Sequence, residues 1–322
     1  MKEKFYNKLI ELISKECVQR DEVLGKYTTF KIGGPADFLV TVDCAEDLAK
    51  VICLCKEFTM PYYMIGKGSN LLVSDDGYRG VVIRLSNGRG IELLNESDTA
   101  YQRAVELYGA TEEDLAVYRC QAGVSLIAFA LEVSKAGYTG FEFASGIPGS
   151  LGGAVAMNAG AYDGDMNSCI VEATAVDING NIKVYNKEEL CMGYRTCIIQ
   201  KTGSIVTDAV FVFKKGDQES IMNRVRELGT LRAQKQPLEY PSAGSTFKRP
   251  AGYYAGKLIM DSGLRGFSVG GAQISEKHCG FVVNKENATA KDVMDLIRHV
   301  QKVVKEKFGV TLETEVRFLG EF

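Results

Sequence analysis

Several short segments carry residue types that could bind or transform a ligand. Gly66-Lys67-Gly68-Ser69-Asn70 directly follows the apolar run ending Met64-Ile65. Glycine lets backbone approach a ligand closely, and consecutive N–H groups there would form a nest for a phosphate; a plain tight turn fits the same residues. The spacing is not G-x-G-x-x-G, so the usual dinucleotide-binding turn is not indicated. Further on, Ser145-Gly146-Ile147-Pro148-Gly149-Ser150-Leu151-Gly152-Gly153-Ala154-Val155 leads to Asn158-Ala-Gly-Ala-Tyr. So much glycine would be costly for packing alone. A flat ring with polar edges, such as an isoalloxazine, could lie against it, and a glycine-rich crossover between sheets is the alternative. Gly193-Tyr194-Arg195 offers a guanidinium able to grip a carboxylate with two hydrogen bonds and to stabilise an enolate, though an exposed surface pair would look the same. Tyr240-Pro-Ser-Ala-Gly-Ser-Thr-Phe-Lys-Arg-Pro250 brings Ser245, a possible proton donor, near Lys248 and Arg249, which suit phosphate or carboxylate. A helix cap beside a basic turn is the competing reading. At the C-terminus, Glu313, Glu315 and Arg317 alternate with apolar residues, as on the solvated face of a strand.

The elements that must hold these residues follow from hydrophobic period. Phe5, Leu9, Leu12 and Ile13 predict an opening amphipathic helix. Strands at 38–40, 62–65 and 80–85 bracket a helix over 45–58, a small α/β unit. The acidic stretch 95–116 reads as a solvated hairpin or insertion. A strand over 117–122 and an apolar helix over 126–136 precede the glycine-rich region 137–164. Strands at 171–177, 182–185 and 209–213 complete a second unit, with a short helix over 187–191 ahead of Arg195. A charged helix over 217–234 ends at Pro237 and Pro241, which mark a boundary. Beyond them lie helices near 256–262 and over 290–308, a strand at 280–283, and a terminal strand over 312–319. In that last strand Leu312, Thr314, Val316 and Phe318 should share one face.

Composition narrows the chemistry. The 322 residues carry 38 Lys and Arg against 41 Asp and Glu, a net charge of -3, which leaves no electrostatic footprint for nucleic acid or an anionic membrane. No apolar run is long enough to span a bilayer and the first residues lack a signal-peptide core, so a cytoplasmic protein is expected. The nine cysteines are scattered and read as reduced thiols. With only His278 and His299, a histidine-based metal site or a Ser-His-Asp triad is disfavoured, and no metal is expected.

Taken in order, these segments resemble one family, UDP-N-acetylenolpyruvoylglucosamine reductase. The resemblance is carried by Thr29-Phe-Lys-Ile-Gly-Gly-Pro-Ala, Gly66-Lys-Gly-Ser-Asn-Leu-Leu, the run from Gly140 to Val155, Asn158-Ala-Gly-Ala-Tyr, Gly193-Tyr-Arg, Ala243-Gly-Ser-Thr-Phe-Lys-Arg-Pro, Ala255-Gly-Lys-Leu-Ile and Leu312-Glu-Thr-Glu-Val-Arg-Phe, over nearly the whole chain. It implies an α+β fold with a two-part FAD-binding region, a small α/β subdomain (1–86) and a larger α+β subdomain (87–214). An α+β substrate-binding domain (215–311) and a C-terminal strand returning to the active site (312–322) would follow.

The resemblance also implies the reaction: NADPH-dependent, FAD-mediated reduction of UDP-N-acetylglucosamine enolpyruvate to UDP-N-acetylmuramate in peptidoglycan precursor synthesis. Hydride would pass by way of flavin N5 to the vinyl carbon. Arg195 and Glu315 would stabilise the enolate and Ser245 would protonate the adjacent carbon. FAD would be held by Ile65, Gly66, Lys67, Gly68, Ser69, Asn70 and Leu71, with the pyrophosphate on residues 66–70, and by Gly140, Gly146, Ile147, Pro148, Gly149, Ser150, Gly152, Gly153, Ala154 and Val155. Substrate contacts would come from Tyr194, Lys235, Lys248, Arg249 and Asn284, with Lys248 also supplying positive charge near Ser245. No obligate protein partner is implied. Between Arg195 and Lys235 there is no room for the tyrosine-bearing loop of the family's longer form, so the chain resembles the shorter form. The stretch 95–116 is longer than the family usually has. An oxidase of the wider flavin-binding group is the rival enzyme reading; many of those attach flavin through histidine or cysteine, which neither glycine-rich segment contains. A non-enzymatic regulator would be expected to lack the acid-base set, and Arg195, Ser245 and Glu315 are all present.

Overall fold

The computed structural model describes residues 1–86, 90–109 and 114–322 and mixes helices with strands, as the expected α+β class requires. The boundary expected at residue 87, and residues 110–113 of the acidic stretch, lie outside the described residues. The chain begins α1 (Lys2–Leu12), β1 (Val18–Val23), β2 (Pro35–Val42), α2 (Ala45–Glu57), β3 (Tyr62–Met64), β4 (Leu71–Val73) and β5 (Tyr78–Leu85). It continues β6 (Ile91–Leu93), α3 (Thr99–Tyr108), β7 (Leu115–Gln121), α4 (Leu126–Lys135), β8 (Tyr138–Thr139), α5 (Leu151–Ala156), β9 (Gly160–Ala161), β10 (Gly164–Asp165), β11 (Ile170–Val176) and β12 (Ile182–Asn186). Then come α6 (Ile198–Thr202), β13 (Ile205–Lys215), α7 (Gln218–Lys235), β14 (Ser242–Ser245), α8 (Ala255–Asp261), β15 (Ser268–Val269), β16 (Ala272–Ile274), β17 (Phe281–Asn284), α9 (Ala290–Phe308) and β18 (Arg317–Leu319).

Two compact units result, one from Met1–Val18, Val40–Gly66 and Ile83–Leu231, the other from Gln19–Leu39, Lys67–Val82 and Arg232–Phe322. The first is organised by an antiparallel sheet in the order β12-β11-β13-β7-β6, with β8 paired to the end of β13. Strand alternation splits its side chains between two cores. Tyr118, Phe211 and Phe213 face α4 and Phe141, where Phe129 meets Phe141 edge-on at 5.3 Å between ring centroids. Val117, Val210 and Val212 point the other way.

That second face corrects one expectation. The stretch 95–116 is not a solvated hairpin: α3 buries Ala100, Tyr101 and Ala104 against it. Asp98 caps α3 by accepting from the Ala100 amide, and Arg119 grips the same carboxylate at 3.1 Å. Arg103 pairs with Glu172 on β11, and Lys187 donates to the Tyr108 hydroxyl. The apolar stripe is made of small and aromatic residues spaced among polar and charged ones, which hides its helical period.

In the second unit β14-β17-β16-β15 form an antiparallel sheet on which α9 lays Val293, Leu296, Ile297, Val300 and Val304. Helix α9 matches its predicted bounds because its ends are written locally: Thr289 and Asp292 close a capping box, and Gly309 takes the left-handed conformation at the other end. A further sheet has the order β1-β2-β5-β3, and β18 runs parallel to β4.

Two more expectations need correction. Residues 187–191 form turns rather than a short helix, with the Cys191 amide bonded to Glu188 O and Cys191 at φ 44°. The terminal segment is not one strand: Thr314 bridges antiparallel to Phe247, the backbone bends at Val316, and only β18 joins β4. Changing partners shifts the phase, so Leu312 and Val316 are buried as expected while Phe318 is exposed and Leu319 takes the buried place.

Candidate active site

The segment 66–70 leaves β3 as an extended turn whose amides are largely unused. Those of Gly66, Gly68, Ser69 and Asn70 donate to no atom among the described residues, although Gly68 is buried. A buried N–H without an acceptor is unfavourable, and successive N–H groups left unpaired attract an anion. Gly68 sits at φ 60°, where a Cβ would lie 2.2 Å from Tyr27 O, so the turn cannot accept another residue there. Gly66 opposes the second glycine-rich segment directly: a Cβ on it would lie 2.2 Å from Ser150 Oγ. The amides of Gly149 and Ser150 are likewise unpaired among the described residues. Each expected segment therefore has donors without partners among the described residues, and in this respect its residues fit a pyrophosphate-bearing cofactor such as FAD.

Other expected cofactor residues also have contacts within the protein. Ile65, Leu71 and Val155 are buried in cores, as is Ala154. The Gly152 amide bonds to Ala122 O, and a Cβ there would strike Ala122 Cβ at 2.6 Å, so this glycine serves the seating of α5. Ser150 caps α5 with its hydroxyl toward the Gly153 amide. Ile147 donates to Ala144 O, and the Gly140 amide is bound by the Glu142 carboxylate at 2.8 Å.

In the first unit Tyr194 and Arg195 form the tip of a tight turn closed by Gly193 and Thr196, each donating its amide to the other's carbonyl. Arg195 has φ 55°, a conformation that disfavours a residue with a Cβ. Its Nη2 donates to Gly160 O at 2.9 Å, and the guanidinium carbon stands 5.4 Å from the exposed Tyr194 ring. Behind the turn, the Asn158 amide donates to Gly193 O at 3.0 Å, and Gln200 Nε2 donates to Ala156 O and to Arg195 O.

In the second unit Ser245 is the exposed last residue of β14, paired with Phe281, and its hydroxyl has no partner among the described residues. The next residue, Thr246, is buried; its carbonyl accepts from the Glu315 amide at 2.8 Å and its hydroxyl from the Val282 amide. Ser245 and Glu315 are thus set on adjoining stretches of backbone. Asn70 Nδ2 donates to Glu315 O at 3.1 Å, and Arg317 N donates to Asn70 O, which fixes the glycine turn to the Glu315 segment. Thr29 completes the circuit, its amide on Gly68 O and its hydroxyl on Ser242 O at 2.6 Å. Thr29, Asn158 and Thr246 stand inside or beside segments singled out from the sequence, yet no local pattern there assigns them these partners.

The expected substrate contacts are less uniform. Lys235 is exposed at the end of α7. Lys248 Nζ pairs with Glu313 at 3.0 Å, so its charge is directed at that carboxylate, and the Arg249 guanidinium lies over the Tyr254 ring at 4.1 Å. Asn284 is committed at both ends of its amide, donating to Phe30 O and accepting from Ala288 N. His278 accepts from the Gly280 amide through Nδ1, and burial holds its pKa below the usual histidine value. All nine cysteines are free, and burial pushes the thiols of Cys55 and Cys169 up to about 12. Among the described residues no group of three His, Cys, Asp or Glu could hold a metal, and no helix is long and apolar enough to cross a membrane.

Comparison with known proteins agrees with this layout. Residues 36–186 match the FAD binding domain family, and residues 236–319 match the family described as UDP-N-acetylenolpyruvoylglucosamine reductase, C-terminal domain. The chain is 52% identical to the UDP-N-acetylenolpyruvoylglucosamine reductase of Lachnoclostridium phytofermentans over 97% of its own length and 96% of the relative's. It is 46% identical to that of Agathobacter rectalis over the whole of both chains. The crystal structure of the Thermus caldophilus reductase superposes with a TM-score of 0.75 at 35% identity, covering 94% of this chain and 99% of the other.

Proposed function

The chain belongs to the UDP-N-acetylenolpyruvoylglucosamine reductase family, whose members include relatives matched over nearly their full length, and on that premise we propose that it reduces the enolpyruvyl ether of UDP-N-acetylglucosamine to UDP-N-acetylmuramate with NADPH as hydride donor, for peptidoglycan precursor synthesis. The observation that carries the reading is that Gly66 lies directly against Ser150 of the second glycine-rich segment, with the amides of Gly66, Gly149 and Ser150 unpaired among the described residues. Bound there, FAD supplies hydride transfer between NADPH and the enolpyruvyl group. The amides of Gly68, Ser69 and Asn70 would hold its pyrophosphate.

The protein's own groups handle charge and proton. Arg195 neutralises the substrate carboxylate and the negative charge that develops beside it, and its turn holds the guanidinium ready before substrate arrives. Glu315 shares in stabilising the enolic form. Ser245, exposed and with no partner for its hydroxyl among the described residues, gives its proton to the carbon next to the carboxylate. Because Lys248 is paired with Glu313, the substrate's own changing charge is assigned the part of making the serine hydroxyl an adequate acid. Tyr194, Lys235 and Arg249 contact the nucleotide sugar. Asn284 acts from behind by fixing Phe30, and through it the Thr29 segment.

The test separates the half-reactions. Purified protein should be yellow; NADPH should bleach the flavin, and the enolpyruvyl nucleotide sugar should restore the colour. Ser245→Ala should keep the bleaching and lose the recovery. Protein that takes up no FAD would refute the cofactor, and normal turnover by Ser245→Ala would remove the serine from the mechanism.

A further inference from the structure

Eight non-glycine residues among the described residues have positive φ, and four of them lie in two segments of the first unit. Asn158 (φ 43°) and Tyr162 (φ 55°) lie in one segment, and Cys191 (φ 44°) and Arg195 (φ 55°) in another. Such conformations persist where surrounding structure imposes them, and they cluster at functional sites. One side chain ties the two segments. Asn158 is 4% exposed; Nδ2 donates to Gly193 O at 3.0 Å and to Asp165 Oδ2 at 3.2 Å, while Oδ1 accepts from the Asn167 amide at 3.0 Å. Gly160, two residues on, supplies the carbonyl that receives Arg195 Nη2. The segment that buttresses the turn from behind thus also receives the guanidinium in front.

We propose that Asn158 is a positioning residue: it sets the Tyr194-Arg195 turn at the distance from Gly160 that presents the guanidinium to the substrate carboxylate. The proposal rests on the role assigned to Arg195 above. Asparagine suits both demands, since it tolerates a left-handed backbone better than other polar residues and offers a donor and an acceptor on one short side chain. Leucine or alanine could fill the space but could not hold the Gly193 carbonyl. Gln200, bonded to Ala156 O and Arg195 O, also braces the turn.

The test uses the FAD-loaded protein and two substitutions. Asn158→Asp keeps the size and the acceptor for the Asn167 amide but sets a carboxylate against Gly193 O and Asp165. Asn158→Gly keeps the backbone conformation and removes the side chain. Expected in both are FAD content and flavin bleaching by NADPH within about twofold of the parent, with recovery of colour on adding the enolpyruvyl nucleotide sugar slowed about tenfold to a hundredfold, as misplacement of a reacting group by about an ångström would give. In an Arg195→Gly background the Asn158 changes should slow recovery no further, because the group they position is gone. Unchanged recovery, losses that multiply in the double variant, or failure of both single variants to fold or hold FAD would each overturn the proposal, the last by assigning Asn158 to the fold alone. Normal recovery in Arg195→Gly itself would instead overturn the role of Arg195 on which the proposal rests.

Discussion

Arg195→Gly should separate activity from stability. At φ 55° the arginine holds a conformation that costs a residue with a Cβ roughly 1–2 kcal/mol and glycine almost nothing. Against that relief stand the bond from Nη2 to Gly160 O, part-buried and worth about 1 kcal/mol, and the extra freedom glycine gives the unfolded chain, about 0.5–1 kcal/mol. The contact with the exposed Tyr194 ring adds about 0.5 kcal/mol. These effects nearly cancel, so denaturant unfolding at saturating FAD should move by less than about 1 kcal/mol in either direction. The chemical step should suffer far more, since loss of a preorganised donor to a developing charge slows reaction about 10²- to 10³-fold. Anaerobic mixing, followed by flavin absorbance, reads the two halves: bleaching by NADPH should be preserved and recovery with the enolpyruvyl nucleotide sugar should carry the loss. Destabilisation beyond about 2 kcal/mol would mean that the arginine side chain holds the turn together, which contradicts the account of Asn158 and Gln200 as its braces. Parent-like recovery would take Arg195 out of the active site.

Other outcomes follow from individual contacts. Gly66→Ala should lower the flavin bound per protein, since its Cβ would lie 2.2 Å from Ser150 Oγ, and adding Ser150→Ala should restore part of it by leaving Ser150 Cβ, at 3.3 Å, as the nearest atom; full flavin in the single variant would contradict the close approach. Asn284→Ala removes two hydrogen bonds to backbone and should cost about 2 kcal/mol in denaturant unfolding, whereas a change in KM with stability intact would return Asn284 to the substrate. The Asp292 carboxyl is held below the usual carboxylate range first by the Thr289 amide, with the Thr289 hydroxyl adding to it and burial opposing. Its contribution is therefore present above the unfolded value of about 4 and fades as pH falls through the lower folded value, so Asp292→Asn should flatten the acid limb of the stability profile below about pH 4, and an unchanged limb would contradict the assignment.

Much of the fold was legible where local signals agree. Helix α9 carries its cap at Thr289, its apolar stripe and its terminal Gly309 within one continuous stretch, and β7, β11 and β13 announce themselves by β-branched and aromatic runs. Helix α3 was hidden because its buried face is two alanines and a tyrosine, too little hydrophobicity to stand out until a sheet offers a surface to cover. The terminal segment kept a strand-like pattern through Val316, but its phase afterwards depends on β4, more than two hundred residues earlier, and no periodicity within the segment encodes a change of partner.

The sequence by itself determined which chemistry was on offer: glycines where backbone must approach a ligand, one arginine, one serine and one glutamate in the order of a known family, and almost no histidine for metal or triad chemistry. Only the tertiary structure shows which of those residues already have partners within the protein. Gly66 and Gly152 look alike in sequence, yet one faces Ser150 beside unpaired amides and the other seats α5 on Ala122. Lys248 and Asn284 look available for substrate, yet Glu313 takes the charge of the first and two backbone groups take the amide of the second. Asn158 is one letter in a glycine-rich motif until Gly193, 35 residues on, arrives within hydrogen-bond reach. The reason is physical: residue type sets what a group can donate, accept or tolerate, but whether its partner is a ligand or the protein depends on which distant backbone folds beside it.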